Sequence, residues 1–331
     1  MAQRRGLAGW QIATLSAAGV AGALAAMNAL ARAGVRAPEQ ALHGSEALYP
    51  WTEGTIHYTV RGRGEPMLLL HDLLPGSSSF EYRNVFAALA EHYRVFAPDL
   101  LGYGLSGRPS ARYTPQLYVT LIEDLLRQTL GATDQPAHVI ASGRSAPLAT
   151  LAAAARPHLV RSLTLIEPVG LLAPVAEAGA GAAPQMARAL LRMPLIGESV
   201  YNALVSRAGL RRALRRRLAE GAASGGRVSD DVIDYYYAMA HQRGARFAPA
   251  DLLGAAPSAE ASVAFADLTT PTLLIWGQRD PQRPVSEGRA LRQAHPSAQL
   301  RIFPTGAMPH VEAPDAFAHE VFGWLRVAVR V

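Results

Sequence analysis

The sequence predicts an α/β fold in which helices cover both faces of a mostly parallel sheet. Short apolar runs alternate with helical stretches, as at 66–70, 93–98 and 137–140. The run at 66–70 is apolar without interruption, which is typical of a strand buried on both faces. The alternation stops at 169–266, which has the pattern of helices and loops. We therefore expect a sheet core at 48–168 and 267–331, with the insertion forming a helical lid.

The composition narrows the classes of function. The 331 residues suffice for one large core with a small insertion, and the absence of cysteine excludes disulfides, thiolate metal sites and a cysteine nucleophile. Every basic residue is arginine and the formal net charge is +6. An arginine cluster at 211–217 has no interleaved aromatic residues. We interpret it as a solvated helix face, with contact to anionic lipid head groups as the alternative, and expect no nucleic-acid partner.

Residues 1–32 predict an apolar N-terminal helix. Two arginines precede 26 uncharged residues at 6–31. At about 1.5 Å per residue, such a helix reaches across the roughly 30 Å hydrocarbon layer of a membrane. We expect an uncleaved transmembrane anchor followed by a linker at 33–47. The alternative is a cleaved signal peptide and export, because 29–31 has a small-x-small pattern. Arginines flank both ends, so the sequence leaves the side of the membrane open.

Four passages of the sequence carry a resemblance to a known family. They are Leu68-Leu69-Leu70-His71 with the loop at 75–79, the stretch from Val95 to Pro109, Leu274 to Asp280, and Pro309 to Pro314. Taken in this order, they resemble the lid-bearing, esterase- and lipase-like members of the α/β-hydrolase superfamily, over nearly all of 48–331. The resemblance implies an eight-stranded, mostly parallel sheet with a lid inserted after the sixth strand.

The nucleophile of this family occupies a sharp strand-to-helix turn, Gly-x-Ser-x-Gly. It works with a histidine base, an acid and backbone donors for the oxyanion. After the strand at 137–140, the chain reads Ala141-Ser142-Gly143-Arg144-Ser145-Ala146. This aligns Gly143 with the nucleophile position, between small residues that permit a tight turn. The sequence therefore predicts an intact turn without its hydroxyl.

The base position is altered as well. The family's segment of Gly-His followed by Pro-His matches Gly306-Ala307-Met308-Pro309-His310, which places Ala307 at the base position. The resemblance gives His310 a structural role and retains the acid as Asp280.

The resemblance implies an oxyanion loop whose backbone donors are Leu73 and Arg144. However, His71-Asp72 replaces the usual His-Gly. The Asp72 carboxylate would bring a negative charge near the place where an oxyanion forms, which disfavours acyl transfer. The sequence shows no metal cluster and no phosphate-cradling loop, so we expect no metal and no cofactor.

Two functions stay open on the sequence. The first is a catalytically degenerate, membrane-tethered protein that keeps a pocket for an apolar, lipid-like ligand or a partner. The second is an active serine hydrolase of an ester or lipid-like substrate, with Ser145 as nucleophile, His310 as base and Asp280 as acid. The second requires two register shifts, and two residues along a helix turn a side chain by about 200°. We favour the first, in which Ser145 is a small packing residue.

Overall fold

The chain folds around one eight-stranded sheet. The computed structural model describes residues 9–33, 35, 40, 42–131, 134–172, 182–218, 228–253 and 259–328. The strands are β1 (Ser45–Trp51), β2 (Gly54–Arg61), β3 (Pro66–Leu70), β4 (Arg94–Pro98), β5 (Ala137–Ser142), β6 (Val160–Ile166), β7 (Thr272–Gly277) and β8 (Gln299–Phe303). Their order is β1-β2-β4-β3-β5-β6-β7-β8. Only the pairs β1–β2 and β2–β4 are antiparallel, which confirms the predicted mostly parallel sheet.

Helices connect the strands and form the insertion. They are α1 (Gly9–Arg32), α2 (Phe86–Ala90), α3 (Pro115–Asp124), α4 (Ser145–Ala155), α5 (Ala182–Arg192), α6 (Ile196–Leu204), α7 (Arg207–Arg217), α8 (Asp230–Ala240), α9 (Phe247–Leu253), α10 (Ala259–Ala266), α11 (Val285–Ala294), α12 (Pro309–Glu312) and α13 (Pro314–Ala328). The helices from α5 to α10 lie between β6 and β7, where the lid is expected.

The sheet is buried on both faces because successive side chains of a strand point to opposite sides. In β3, Leu68 and Leu70 join the core on one face, while Met67 and Leu69 join the core on the other. The helix α4 packs on the first face and α13 on the second. This arrangement explains why the central strands are apolar at every position.

Two local elements differ from the sequence expectation. The strand β1 begins at Ser45, inside the stretch expected to be a linker, and pairs with β2 along its whole length. The pattern of residues 80–92 predicts one continuous helix, but the structure divides this stretch into a 3₁₀ turn at Ser79–Tyr82 and the short α2. Tyr82 is fully buried and donates a hydrogen bond to the carbonyl oxygen of Leu70 at 2.8 Å, so this segment is drawn onto the end of β3.

The C-terminal end of α1 is fastened to the lid by polar contacts. The Asn28 side chain donates to the Leu195 carbonyl at 3.2 Å, and its oxygen accepts from Ser199 at 3.1 Å. Arg32 forms an ion pair with Glu198. The hydroxyl of Tyr237 donates to the carbonyl of Ala31 at 2.8 Å. The helix α1 is thereby part of the lid surface.

In the part of the chain that the structure describes, no helix combines the length and the apolar character that crossing a bilayer requires. The predicted N-terminal anchor begins at residues 1–8, which lie outside the described part of the chain, and it stays a prediction.

Candidate functional site

The turn between β5 and α4 holds Gly143, which the sequence predicts to be the nucleophile position. Gly143 lies in this turn with φ +56°, in the left-handed region that glycine adopts without strain. Its N–H donates to the Ile166 carbonyl at 2.9 Å, which fixes the turn on the neighbouring strand. The turn has the sharp geometry of a nucleophile elbow, but no side chain projects from its tip.

The carboxylate of Asp72 fills the space in front of Gly143. A Cβ placed on Gly143 would lie 2.4 Å from Asp72 Cγ and 2.5 Å from each carboxylate oxygen. Such distances are too short for any real contact, so a side chain at Gly143 and the present position of Asp72 exclude each other. Asp72 is only 2% exposed.

The same carboxylate occupies both backbone donors of the oxyanion loop. Asp72 Oδ1 accepts hydrogen bonds from the N–H of Leu73 at 2.7 Å and from the N–H of Arg144 at 2.9 Å. In a working hydrolase, two such donors stabilise the negative oxygen of the tetrahedral intermediate. Here a permanent negative oxygen of the protein takes that place.

An arginine of the lid neutralises this carboxylate. Arg217, the last residue of α7, donates from Nη1 to Asp72 Oδ2, and 15% of its side chain is exposed. Burial lowers the pKa of Arg217, but the Asp72 and Glu81 carboxylates raise it by more, so its pKa lies above the ordinary value. We call this contact the Asp72–Arg217 pair. The sequence assigned Arg217 to a solvated cluster, and its inward direction is set by tertiary structure.

The backbone of Arg217 also contacts the base position. Its carbonyl oxygen accepts a hydrogen bond from the N–H of Ala307 at 2.6 Å. Ala307 is 5% exposed and has no group that can transfer a proton. One lid residue therefore closes the site over both the nucleophile position and the base position.

The retained histidine belongs to a separate buried pair. His310 is fully buried on α12, and its Nε2 lies 3.0 Å from Glu81 Oε1. Burial raises the pKa of Glu81, but the hydrogen bond and charge of His310, together with the Arg217 charge and the Ser142 hydrogen bond, hold the pKa below its ordinary value. The other oxygen of Glu81 accepts from the N–H of Asp72 at 2.9 Å. The His310–Glu81 pair therefore holds the loop at Asp72 through the backbone N–H of Asp72.

Ser145 and His310 have different partners, so the structure does not bring the shifted dyad together. Ser145 is fully buried at the start of α4. Its hydroxyl lies 2.8 Å from the Ser142 carbonyl and 3.0 Å from the Leu70 carbonyl, and accepts from the Ser142 N–H at 3.2 Å. These contacts join the ends of β3 and β5 to α4.

The retained acid and a second carboxyl lie at the end of β7. Asp280 is 8% exposed, and its Oδ1 accepts from the N–H of Gln282 at 2.8 Å. Glu167, which the sequence analysis did not identify, follows β6 with φ +46°. Its Oε1 accepts from the N–H of Gly277 at 2.7 Å, and its Oε2 is buried without a hydrogen-bond partner. No local sequence signal marks it, because its burial comes from the neighbouring strand.

The stability of the protein should fall with rising pH because of Glu167. Burial, followed by the neighbouring Asp280 charge, raises the pKa of Glu167 from 4.5 to about 8, against the opposing Gly277 hydrogen bond and Arg283 charge. Below pH 4.5 both the folded and the unfolded chain hold this proton. Between about pH 4.5 and 8 only the folded chain keeps it, so this group lowers the free energy of unfolding by up to about 1.4 kcal/mol per pH unit.

Glu167→Gln should reduce the decrease in the free energy of unfolding between about pH 4.5 and 8. The measurement is urea unfolding at about pH 5, 6 and 7, compared with the exposed control Glu53→Gln. If the free energy of unfolding changes with pH equally in the wild type and in Glu167→Gln, the raised pKa of Glu167 is wrong.

Within the described residues, no three histidine, aspartate or glutamate side chains are grouped so that they could hold a metal ion.

Comparisons with known proteins agree with this architecture. Residues 67–320 match the sequence profile of the alpha/beta hydrolase family. Haloalkane dehalogenase 2 of Mycobacterium tuberculosis is 30% identical over 254 residues, which cover 70% of this chain and 80% of the relative. An uncharacterized protein of Mycobacterium tuberculosis is 29% identical over 275 residues, which cover 80% and 77%.

Solved structures share the fold at lower identity. The enol-lactonase from Burkholderia xenovorans LB400 matches with a TM-score of 0.68 and 19% identity, covering 85% of this chain and 100% of that chain. A membrane phospholipase A described as a novel bacterial virulence factor matches with a TM-score of 0.68 and 21% identity, covering 98% of both. The sheet, the inserted lid and the sequence match together show that this chain belongs to the alpha/beta hydrolase family.

Proposed function

We propose that this protein is a catalytically degenerate alpha/beta hydrolase that acts by binding or assembly. One observation carries the proposal: the Asp72 carboxylate fills the space of the nucleophile and takes both oxyanion donors. Acyl transfer needs an attacking group and a stabilised oxyanion in that same volume. With Gly143 and Ala307 at the nucleophile and base positions, neither attack nor proton transfer has a side chain to perform it.

The alternative function is an active serine hydrolase that uses Ser145, Asp280 and His310. The enzyme names of two similar proteins, a haloalkane dehalogenase and an enol-lactonase, favour a catalytic function of some kind. For this chemistry, Ser145 would leave its bonds to Ser142 and Leu70, and His310 would leave Glu81. Each move would leave buried polar groups without a hydrogen-bond partner, which is unfavourable in free energy.

A fluorophosphonate probe distinguishes the two functions. We expect no covalent labelling of the native wild-type protein, because both serines near the turn, Ser142 and Ser145, are fully buried and the Ser145 hydroxyl is hydrogen-bonded. Ser145→Ala is the matched variant, and a known serine hydrolase in the same reaction controls for probe activity. Labelling of the wild type that disappears in Ser145→Ala would establish the hydrolase and end the degenerate proposal.

We further propose that the lid surface associates with membranes. Met186, Leu190 and Met193 are 69%, 39% and 47% exposed, and their spacing places them on one helical face. The neighbouring α6 exposes Ile196 and Leu204, and α6 packs against both α5 and α1.

The helix α1 adds Val20, Met27 and Leu30, which are 62%, 58% and 72% exposed. Exposed apolar side chains on adjacent helices are the feature by which amphipathic helices enter the interface of a bilayer. An apolar, lipid-like ligand stays a prediction on the same grounds.

Flotation with phosphatidylcholine vesicles tests the apolar surface. We expect the wild type to float, and Met186→Ser, Leu190→Ser, Met193→Ser to reduce the bound fraction by at least about tenfold, since each buried apolar side chain contributes about 1.5–3 kcal/mol. The control Val263→Ser, Ile302→Ser, Val327→Ser removes exposed apolar groups from other elements and should float like the wild type. Equal loss in both variants, or no flotation of the wild type, would refute membrane association through this face.

A further inference from the structure

A large cavity on the outer side of α7 is lined by arginine. It is open to solvent, has a volume of about 760 Å³, and is lined by residues that include Arg211, Arg212, Arg215, Arg216 and Arg279. The first four come from α7 in the lid. Arg279 comes from the loop after β7, where its N–H is held by the Thr305 carbonyl at 2.8 Å. Two separate parts of the fold thus direct positive charge into one concave space.

Little negative charge in the described structure balances these guanidinium groups. Arg211 pairs with Asp230 at the rim. For Arg212, Arg215, Arg216 and Arg279, no carboxylate among the described residues lies within ion-pair distance. Asp280 is next to Arg279 in the chain but is buried and bonded to the backbone of Gln282. The cavity therefore carries a strong net positive charge.

The stability of the helix does not explain this arrangement. Cations in the last turn of a helix interact favourably with its dipole, which accounts for Arg215 and Arg216. Arg211 and Arg215, and likewise Arg212 and Arg216, are four residues apart and repel each other. The dipole gives no reason for Arg279, which lies on another element. A bound anion would relieve the repulsion of all of them.

We propose that this cavity binds the phosphate group of a phosphorylated small molecule or of a lipid head group. Guanidinium groups bind phosphate oxygens through paired hydrogen bonds, and several of them can surround one doubly charged phosphate. The volume is typical of small-molecule sites and exceeds what an isolated ion needs. Among the described residues that line it there is no aromatic side chain, so base stacking with single-stranded nucleic acid has no support.

The site is new relative to the proposed function and does not depend on the loss of catalysis. It lies on the outer side of α7, while Arg217 at the end of the same helix points inward to Asp72. The helix α7 therefore carries the proposed phosphate site on its outer side and, at its end, Arg217, which closes the degenerate site. The preceding helix α6 carries part of the exposed apolar surface, so a lipid head group is one source of the phosphate.

Binding measurements on the full chain distinguish the two sources of the phosphate, a soluble molecule and a lipid head group. The probes are inorganic pyrophosphate by titration calorimetry, and phosphatidic acid vesicles by flotation against phosphatidylcholine vesicles. The cavity variant is Arg215→Ala, Arg279→Ala, which removes one exposed charge from each wall. The control is Arg289→Ala, Arg292→Ala, which removes two exposed charges from α11.

We expect at least one probe to bind the wild type, and the cavity variant to lose about tenfold or more in affinity, while the control keeps wild-type affinity. Binding of pyrophosphate alone assigns a soluble phosphorylated ligand, and a preference for phosphatidic acid alone assigns a head group. Three results would overturn the site. They are no binding of either probe, equal loss in both variants, or equal binding of sulfate and pyrophosphate.

Discussion

The Gly143→Ser, Ala307→His variant, which restores the serine and the histidine, should remain inactive toward esters. A Cβ on Gly143 would lie 2.4 Å from Asp72 Cγ, so the new side chain and the carboxylate cannot both keep their places. Asp72 Oδ1 would still hold the N–H groups of Leu73 and Arg144. The introduced nucleophile would be displaced, and the oxyanion would find no donor.

Adding Asp72→Gly should produce activity. This third change clears the space in front of residue 143 and frees both backbone donors. One oxyanion donor typically changes kcat by about 10²–10³, and a positioned base contributes about 10²–10⁴. We therefore expect hydrolysis of a p-nitrophenyl ester at least about 10²-fold above the double variant, with fluorophosphonate labelling of the introduced serine.

The matched control for this experiment keeps the glycine: Asp72→Gly with Ala307→His should be neither active nor labelled. Asp72→Gly leaves Arg217 without its counter-charge, which could prevent folding. A fourth change, Arg217→Ala, removes that unpaired charge, so an inactive triple variant that has only failed to fold can be recognised. Ester hydrolysis by the double variant with Asp72 in place would contradict the assignment of Asp72 as the blocking group.

The second large effect concerns stability. Asp72→Ala should lower the free energy of unfolding by about 3–5 kcal/mol, because Arg217 is left buried without its counter-charge and the Leu73 and Arg144 N–H groups lose their acceptor. Arg217→Met should cost less, since Asp72 keeps its two backbone donors. Urea unfolding at neutral pH measures both changes.

A double-mutant cycle isolates the Asp72–Arg217 pair. Asp72→Ala combined with Arg217→Met should be more stable than Asp72→Ala alone, with a coupling energy of about 2 kcal/mol or more. The exposed pair of Arg207 and Asp234 is the control, since both side chains are more than half exposed and such pairs contribute a few tenths of a kcal/mol. Additive effects of Asp72→Ala and Arg217→Met would mean that the pair does not hold the lid on the site.

The sheet could be predicted because its physical signature is local. β3 and β7 are apolar at every position and buried along their whole length, and such runs predict strands of a parallel sheet. The edge strand β1 was not predicted, since it pairs on one side only, contains Pro50 and mixes exposed with half-buried residues. The docking of α1 was also missed, because its partners lie more than 160 residues away along the chain.

The sequence by itself determined the family, the order of the strands along the chain and the residue types at the two altered positions, Gly143 and Ala307. These features follow from the order of residues along the chain, which the sequence contains directly. Only the tertiary structure decided that the Asp72 carboxylate turns into the space left by the missing side chain, and that Arg217 points inward rather than to solvent. Side-chain direction at a helix end depends on which buried charge lies opposite, and here that charge is 145 residues away in the chain.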